Sequence, residues 1–223
     1  MRLSSIFAGA ALFSASYSNA LSILLNNDDG FGSGNLREMY RIFKEKGHNV
    51  WLVAPATKQS GKDGTSDFTT EGNLTGPSQY DLVPKGAPSV GNYPKDSQIW
   101  YYKVFQILSS LDLTNYGTNL GGFVWTLSGT AGAAYAATNR GVPATAISAS
   151  NQVTNRTNPA TWAAQVSVKF VENFITAAPK NSPLLPVGYG VSVNLPVLTK
   201  KDHDPDFVQI RFSGNAHVNE AVL

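Results

Sequence analysis

SILLNNDDGFGSGNLREMYRIFKEKGHNVWLVAP, residues 22–55, holds two apolar runs with a helical pattern between them. Ser22 to Asn27 reads as a short buried strand, and Asp28 to Asn35 follows as a Gly-rich turn. Leu36, Met39, Tyr40 and Phe43 then fall at i, i+3, i+4 and i+7, one face of a helix. Lys44 and Lys46 suit the negative end of its dipole, and Gly47 is a natural stop. Val50 to Ala54 is a second apolar run, ended by Pro55. Strand, helix and strand in so few residues make a βαβ unit, hence a parallel sheet with a right-handed crossover.

Downstream, residues 56–98 scatter Gly, Ser, Pro, Asp and Lys without a sustained period and read as loops with room for one hairpin. Trp100, Val104, Ile107, Leu108 and Leu111 are spaced for a helix over 99–111. Ala131 to Asn139 is an Ala-rich helix ending at Gly141, and Ala144 to Ala149 is a strand. Asn158-Pro159 starts a long helix that carries Trp162, Val166, Phe170 and Phe174 and stops before Pro179. Gly190 to Leu195 alternates as a strand, with a further candidate at 207–212. The alternation predicts an α/β fold of three layers, a mostly parallel sheet with helices on both faces.

At 223 residues the chain suits one domain. Met1 to Ala20 has Arg2, an apolar run from Ile6 to Phe13 and the small-residue end Ser18-Asn19-Ala20, the layout of a cleavable secretory signal too short to span a bilayer. Residues 21–223 are then the mature domain. Taking Arg2 from the 17 basic residues leaves 16 against 15 acidic ones, a balance that points to neither a nucleic-acid duplex nor a membrane surface as partner. With no cysteine, a thiolate nucleophile and a zinc–thiolate site are excluded. The sequons Asn73-Leu74-Thr75 and Asn155-Arg156-Thr157 agree with export from a eukaryotic cell.

Ligands of parallel α/β sheets bind outside the carboxyl ends of the strands, which directs attention to three loops. In the first, Asp28 and Asp29 are adjacent carboxylates, and a divalent cation is the usual reason to keep both ionised; the plain alternative is an Asp29-Gly30 turn capped by Asp28. Gly30, Gly32 and Gly34 do not make the Gly-x-Gly-x-x-Gly of a dinucleotide site, and no Walker loop is present. In the second loop, Ser60 offers a neutral oxygen to a hard metal and Lys58 can offset phosphate charge. The third runs from Asn115 to Gly121 and is followed by Ser128-Gly129-Thr130. There the hydroxyls and free N–H groups of a helix start form either a phosphate receptor or a cap without a ligand. His48, His203 and His217 read as surface or terminal residues without a catalytic role, and Tyr101, Tyr102 and Trp125 as core aromatics, with stacking on a base as the alternative.

Taken in order, Ile23 to Gly30, Val53-Ala54-Pro55 with Gln59-Ser60-Gly61, Asn115-Tyr116-Gly117-Thr118-Asn119-Leu120-Gly121, Ser128-Gly129-Thr130, Gly141-Val142-Pro143-Ala144 and Val193-Asn194-Leu195-Pro196 resemble the SurE family of survival-protein phosphatases and nucleotidases, in particular its secreted fungal acid-phosphatase branch. The resemblance implies a Rossmann-like, SurE-like fold and hydrolysis of phosphate monoesters, nucleoside monophosphates included. It implies one divalent cation, Mg²⁺ or Mn²⁺, on Asp28, Asp29, Ser60 and Asn115. Asn119, Ser128, Gly129 and Thr130 would line the phosphate, with Asp28 and Asp29 as catalytic residues and a homodimer as the assembly. In the family a Gly-Thr-Pro segment and a strand ending in Ser-Gly precede that Asn; neither occurs here, so 99–114 and the C-terminus are expected to be incomplete. The alternative is a secreted, non-catalytic relative that holds a metal or nucleotide without turnover.

Overall fold

The computed structural model describes residues 20–59, 69–103, 111–114, 128–149, 158–179 and 182–209. β1 (Ser22–Asn26), α1 (Gly34–Glu45) and β2 (Asn49–Pro55) form the expected βαβ unit, with β1 parallel to β2 through Ser22↔Asn49 to Leu25↔Leu52. Leu36, Met39, Tyr40 and Phe43, the predicted stripe, are all buried on α1. The Gln79–Asp81 turn, β3 (Val90–Tyr93) and β4 (Asp96–Tyr102) come next, and β3 and β4 are the antiparallel hairpin for which the loop region had room.

β4 also corrects the helix expected over 99–111. It runs parallel to β2 through Leu52↔Ile99 to Pro55↔Tyr102. Ile99 and Tyr101 are buried while Trp100 between them is exposed. That period of two is a strand's; the helical spacing borrowed positions on both sides of 104–110, which lie outside the described residues. β5 (Leu111–Thr114) follows and pairs parallel with both β1 and β6 (Ala144–Ser148). A parallel strand therefore ends immediately before position 115.

α2 (Gly129–Thr138), α3 (Asn158–Ala177) and β7 (Gly190–Asn194) complete the described elements. The sheet order is β3-β4-β2-β1-β5-β6-β7, with β3 alone antiparallel to its neighbour. Of the strand foreseen at 207–212, residues 207–209 are irregular and the rest lie outside the described residues. From β1 the chain moves outward first through β2 and β4, then through β5, β6 and β7. β1 is thus the switch point, where the adjoining loops diverge and leave a crevice.

The two faces of β6 separate the helices. Ala144 and Ala146 pack with Ala134 and Ala137 of α2. Ile147 belongs to the main core with Leu36 and Phe43 of α1 and Ala163 and Val166 of α3. α1 and α3 therefore share one face although β1→β2 and β6→β7 run in opposite directions across the sheet. The β6–α3–β7 crossover consequently has the opposite hand from the β1–α1–β2 and β5–α2–β6 units. Because the right hand holds in roughly 98% of such units, it is a left-handed exception.

Polar contacts secure the α1–α3 pair. Glu38, 1% exposed, accepts from Arg41 on its own helix and from the Thr161 hydroxyl at 3.2 Å. His48, expected at the surface, is buried instead. The main-chain N–H of Leu21 donates to its Nδ1 at 3.1 Å, which leaves Nε2–H to donate to Glu172 at 2.8 Å. Gly47 (φ +89°) turns the chain so that the ring enters the core edge rather than solvent. Tyr101 and Tyr102 are buried as expected, and His203 is exposed, stacked on Trp162.

Candidate active site at the carboxyl end of β1

The acidic loop is held inside the protein. Asn27, Asp28 and Asp29 are 1%, 4% and 3% exposed. Asn27 closes the loop on itself: its Oδ1 accepts from Gly30 N at 3.0 Å and its Nδ2 donates to Ser33 Oγ at 2.9 Å. Phe31, fully buried, packs on Tyr93 and Tyr101 with ring centroids 5.7 Å apart in each case. The end of β2 is fastened alongside, with Phe31 N donating to Pro55 O at 2.9 Å and Gln59 N to Asp28 O at 2.6 Å. The loops after β1 and β2 are therefore one body.

Gly30 is required at its position. Its φ is +106°, and an added Cβ would stand 2.5 Å from Gln79 Oε1. Gly30→Ala is expected to lower stability by about 1–3 kcal/mol, since left-handed strain and the clash act together. Chemical denaturation of the two proteins measures it, and an unchanged midpoint would contradict the loop geometry.

The start of α2 faces the same point. Ser128 caps the helix, its Oγ accepting from Ala131 N at 3.3 Å. Gly129 lies so close to Asp28 that an added Cβ would be 2.8 Å from Oδ2 and 3.0 Å from the Asp28 Cβ. The N–H groups of Gly129 and Thr130 have no acceptor within the helix by geometry, and the positive end of the dipole meets a carboxylate. Among the described residues, two buried oxygens here, Asp28 Oδ1 and Thr130 Oγ1, have no hydrogen-bond partner. Buried polar atoms are rarely left so without a ligand, ion or water to complete them.

Burial and neighbouring charge both act on the acidic pair. Burial first, and then the adjacent Asp29 charge, push the Asp28 carboxyl up to about 7, against smaller opposing effects of a backbone hydrogen bond and Lys58. Lys58 Nζ lies 3.1 Å from Asp29 Oδ1, so the lysine read as a phosphate contact pairs with the acidic loop. Among the described residues, Lys58 is the cation that an ion pair brings to the two carboxylates. Among the described residues no group of three His, Cys, Asp or Glu surrounds a metal position. The donor set that fits a hard cation here consists of the two carboxylates and neutral oxygens.

Of the predicted site residues, Asp28, Asp29, Ser128, Gly129 and Thr130 are described, and Gly129 sits directly on Asp28. Ser60, Asn115 and Asn119 lie outside the described residues. Two contributors went unforeseen. Asn27 was legible as a turn-forming residue, an Asn three residues before Gly30. Gln79 was not legible, since it reaches Gly30 from a stretch without periodicity.

Comparison with known proteins agrees with this arrangement. Residues 23–218 match the family model described as survival protein SurE. An acid phosphatase of Yarrowia lipolytica is 35% identical over 91% of this chain and 65% of its own length. A 5'-nucleotidase SurE of Ehrlichia ruminantium is 29% identical over 64% of this chain and 55% of its own, and one of Methanocella arvoryzae 36% identical over 56% and 47%. The chain thus spans just under two thirds of the first relative and about half of the others. The SurE protein of Aquifex aeolicus shares the fold, with a TM-score of 0.53 at 22% identity over 81% of this chain and 68% of that one. A sheet with its switch point at β1, a buried acidic pair at that strand's end and a family match across nearly the whole described chain agree on one assignment: this chain belongs to the SurE family.

Proposed function

We propose that the chain hydrolyses phosphate monoesters, nucleoside monophosphates among them, and that it does so with one divalent cation, Mg²⁺ or Mn²⁺. The observation that carries this reading is the buried Asp28–Asp29 pair, with Asp28 Oδ1 unpartnered among the described residues beside the start of α2. Asp28, Asp29, Ser60 and Asn115 would hold the cation, which when bound supplies positive charge for phosphoryl oxygens and lowers the pKa of a water. β5 ends directly before position 115, next to β1, which supports Asn115 as a donor from the neighbouring loop.

The chain's own groups do the rest. The N–H groups of Gly129 and Thr130 and the Thr130 hydroxyl bind the phosphate as a helix N-terminus binds anions, and Asn119 adds a further donor. Ser128 keeps that helix end in register through its cap. Asp28, acting as base, and Asn119 orient the attacking water in line with the departing oxygen. Lys58 pairs with Asp29 at 3.1 Å. No covalent enzyme intermediate is needed.

The test is phosphate release from p-nitrophenyl phosphate. Release should need Mg²⁺ or Mn²⁺, stop on chelation, return on readdition and be lost in Asp29→Asn at unchanged circular dichroism. Turnover that persists in excess chelator would exclude the cation. Tight Mn²⁺ and nucleotide binding without release would make the chain a binding relative. Export is part of the same proposal: Asn73 of the first sequon is exposed, as an acceptor must be, and among the described residues no helix is long and apolar enough to cross a membrane.

A further inference from the structure

We infer that the cleft between α1 and the β3–β4 turn binds a phosphoryl dianion, with Arg37 and Lys95 as its two cations, at a site separate from the Asp28–Asp29 loop. The first observation is an unmatched donor. Arg37 is half-buried and lines the cleft, and its Nη1 is buried with no hydrogen-bond partner among the described residues. A guanidinium is always charged and carries five N–H donors in a planar fork. Buried polar atoms are rarely left without an ion, water or ligand, and leaving a charged one so costs more than leaving a neutral one. The Tyr93 ring faces the guanidinium, with its centroid 5.3 Å from the Arg37 Cζ. That face attracts the charge but has no lone pair for the N–H groups.

The neighbours explain why this cation is left over. Arg37, Arg41 and Lys44 fall at i, i+4 and i+7, so α1 turns one basic stripe to the cleft. Arg41 pairs with Glu38 at 3.0 Å and with Glu45 at 2.6 Å. Lys44 donates to the Tyr40 hydroxyl at 2.9 Å and to Gln98 Oε1 at 2.8 Å, and lies 3.8 Å from Asp96. Asp96 also accepts from the Tyr40 hydroxyl at 2.8 Å. The carboxylates lining the cleft, Glu45 and Asp96, are thus each engaged by a cation other than Arg37. Lys95 is exposed in the turn between β3 and β4 and makes no ion pair among the described residues. A cleft of about 440 Å³ therefore carries Arg37, Arg41, Lys44 and Lys95 against those two carboxylates. Counting Glu38 as well, the surplus remains positive.

Two cations without a counterion match a dianion. The fork of an arginine pairs with two oxygens of one phosphate, and a lysine adds a point charge on a flexible stem. Topology separates this place from the acidic loop. β4 runs parallel to β2, and β2 to β1, so the turn before β4 lies at the amino ends of these strands. Asp28 follows the carboxyl end of β1. A phosphate on Lys95 and Arg37 is therefore not the one at the acidic pair, and the inference stands apart from the hydrolase reading.

The experiment is calorimetric titration of the full chain with inorganic phosphate, in chelator and at fixed ionic strength. Chelator keeps a cation from drawing phosphate to Asp28. Arg37→Gln should weaken binding roughly ten- to hundredfold, the span of hydrogen bonds to a charged group. Lys95→Gln changes an exposed side chain, leaves the fold intact and should weaken it roughly two- to fivefold. Thr130→Val, at the start of α2, should leave it unchanged. Binding that is lost with Thr130→Val, or kept in both Arg37→Gln and Lys95→Gln, would overturn the site, as would a parent that binds no phosphate or binds acetate equally well. Glycerol 2-phosphate, titrated in parallel, tells a free phosphate from an esterified one. Tighter binding of either that falls with Arg37→Gln supports the cleft, and ester binding indifferent to Arg37 counts against it. None of these readouts requires turnover, so a failure of hydrolysis and a failure of this site are told apart.

Discussion

Asp28→Asn should abolish phosphate release while making the metal-free protein more stable at neutral pH. The unfolded chain ionises this carboxyl near 3.8 and the folded one near 7. Below both values each state holds the proton, and Asp28 contributes nothing. Between them the folded protein keeps a proton that the unfolded chain has lost, so stability falls as pH rises; above about 7 the whole penalty is present. A shift of this size corresponds to a penalty of about 4 kcal/mol, which an amide does not incur. Unfolding midpoints in chelator should therefore separate progressively between about pH 4 and pH 7, with Asp28→Asn the more stable. Adding Mn²⁺ should reverse the order, because a ligand that binds only the folded parent stabilises only the parent. Activity should drop on the order of 10³-fold or more with loss of the carboxylate. A gap that does not change with pH would show that Asp28 is not held in a costly ionised state.

Gly129→Ala is the second large effect, and its sign is informative. In a helix, Ala is favoured over Gly by about 1 kcal/mol, so propensity alone predicts stabilisation. The contact with Asp28 predicts the reverse. A methyl group 2.8 Å from Oδ2 could be relieved by turning the carboxylate, but 3.0 Å from the Asp28 Cβ is a clash with an atom fixed to the main chain. Either the start of α2 moves away or β1's loop does. Overpacking of this kind costs about 1–3 kcal/mol. A displacement near 1 Å at the reacting centre costs on the order of 10²-fold in rate. Calorimetric unfolding and steady-state kinetics on the same preparation check both; a stabilised and fully active Gly129→Ala would mean that α2 and Asp28 do not meet.

Local periodicity carried most of the fold. The α1 stripe from Leu36 to Phe43, the apolar runs of β1 and β2, and the Ser128 cap ahead of an Ala-rich segment are each decided within a few residues, and each is found. β4 was missed because Ile99 and Tyr101 alternate over too short a stretch to outweigh a spacing of four shared with neighbouring residues. His48 was misplaced because its burial depends on Glu172, 124 positions away. Of the site, the acidic pair and the helix start could be read from chemistry and spacing. Lys58's partner and the approach of Gln79 to Gly30 could not, because tertiary contacts leave no mark on composition.

The left-handed crossover bears on how the chain reaches its native state. By sending α3 to the face of α1, it makes the first helix complete its packing against one that ends at Ala177, through links such as Thr161 to Glu38 across 123 positions. Loop-closure entropy must be met before contacts this distant reward the chain, and that slows folding. A nascent chain emerging at about 5–20 residues per second exposes the apolar side of α1 for many seconds before its cover arrives. The seam between α1 and α3 is therefore among the last parts of the fold to close, although α1 is among the first to be made.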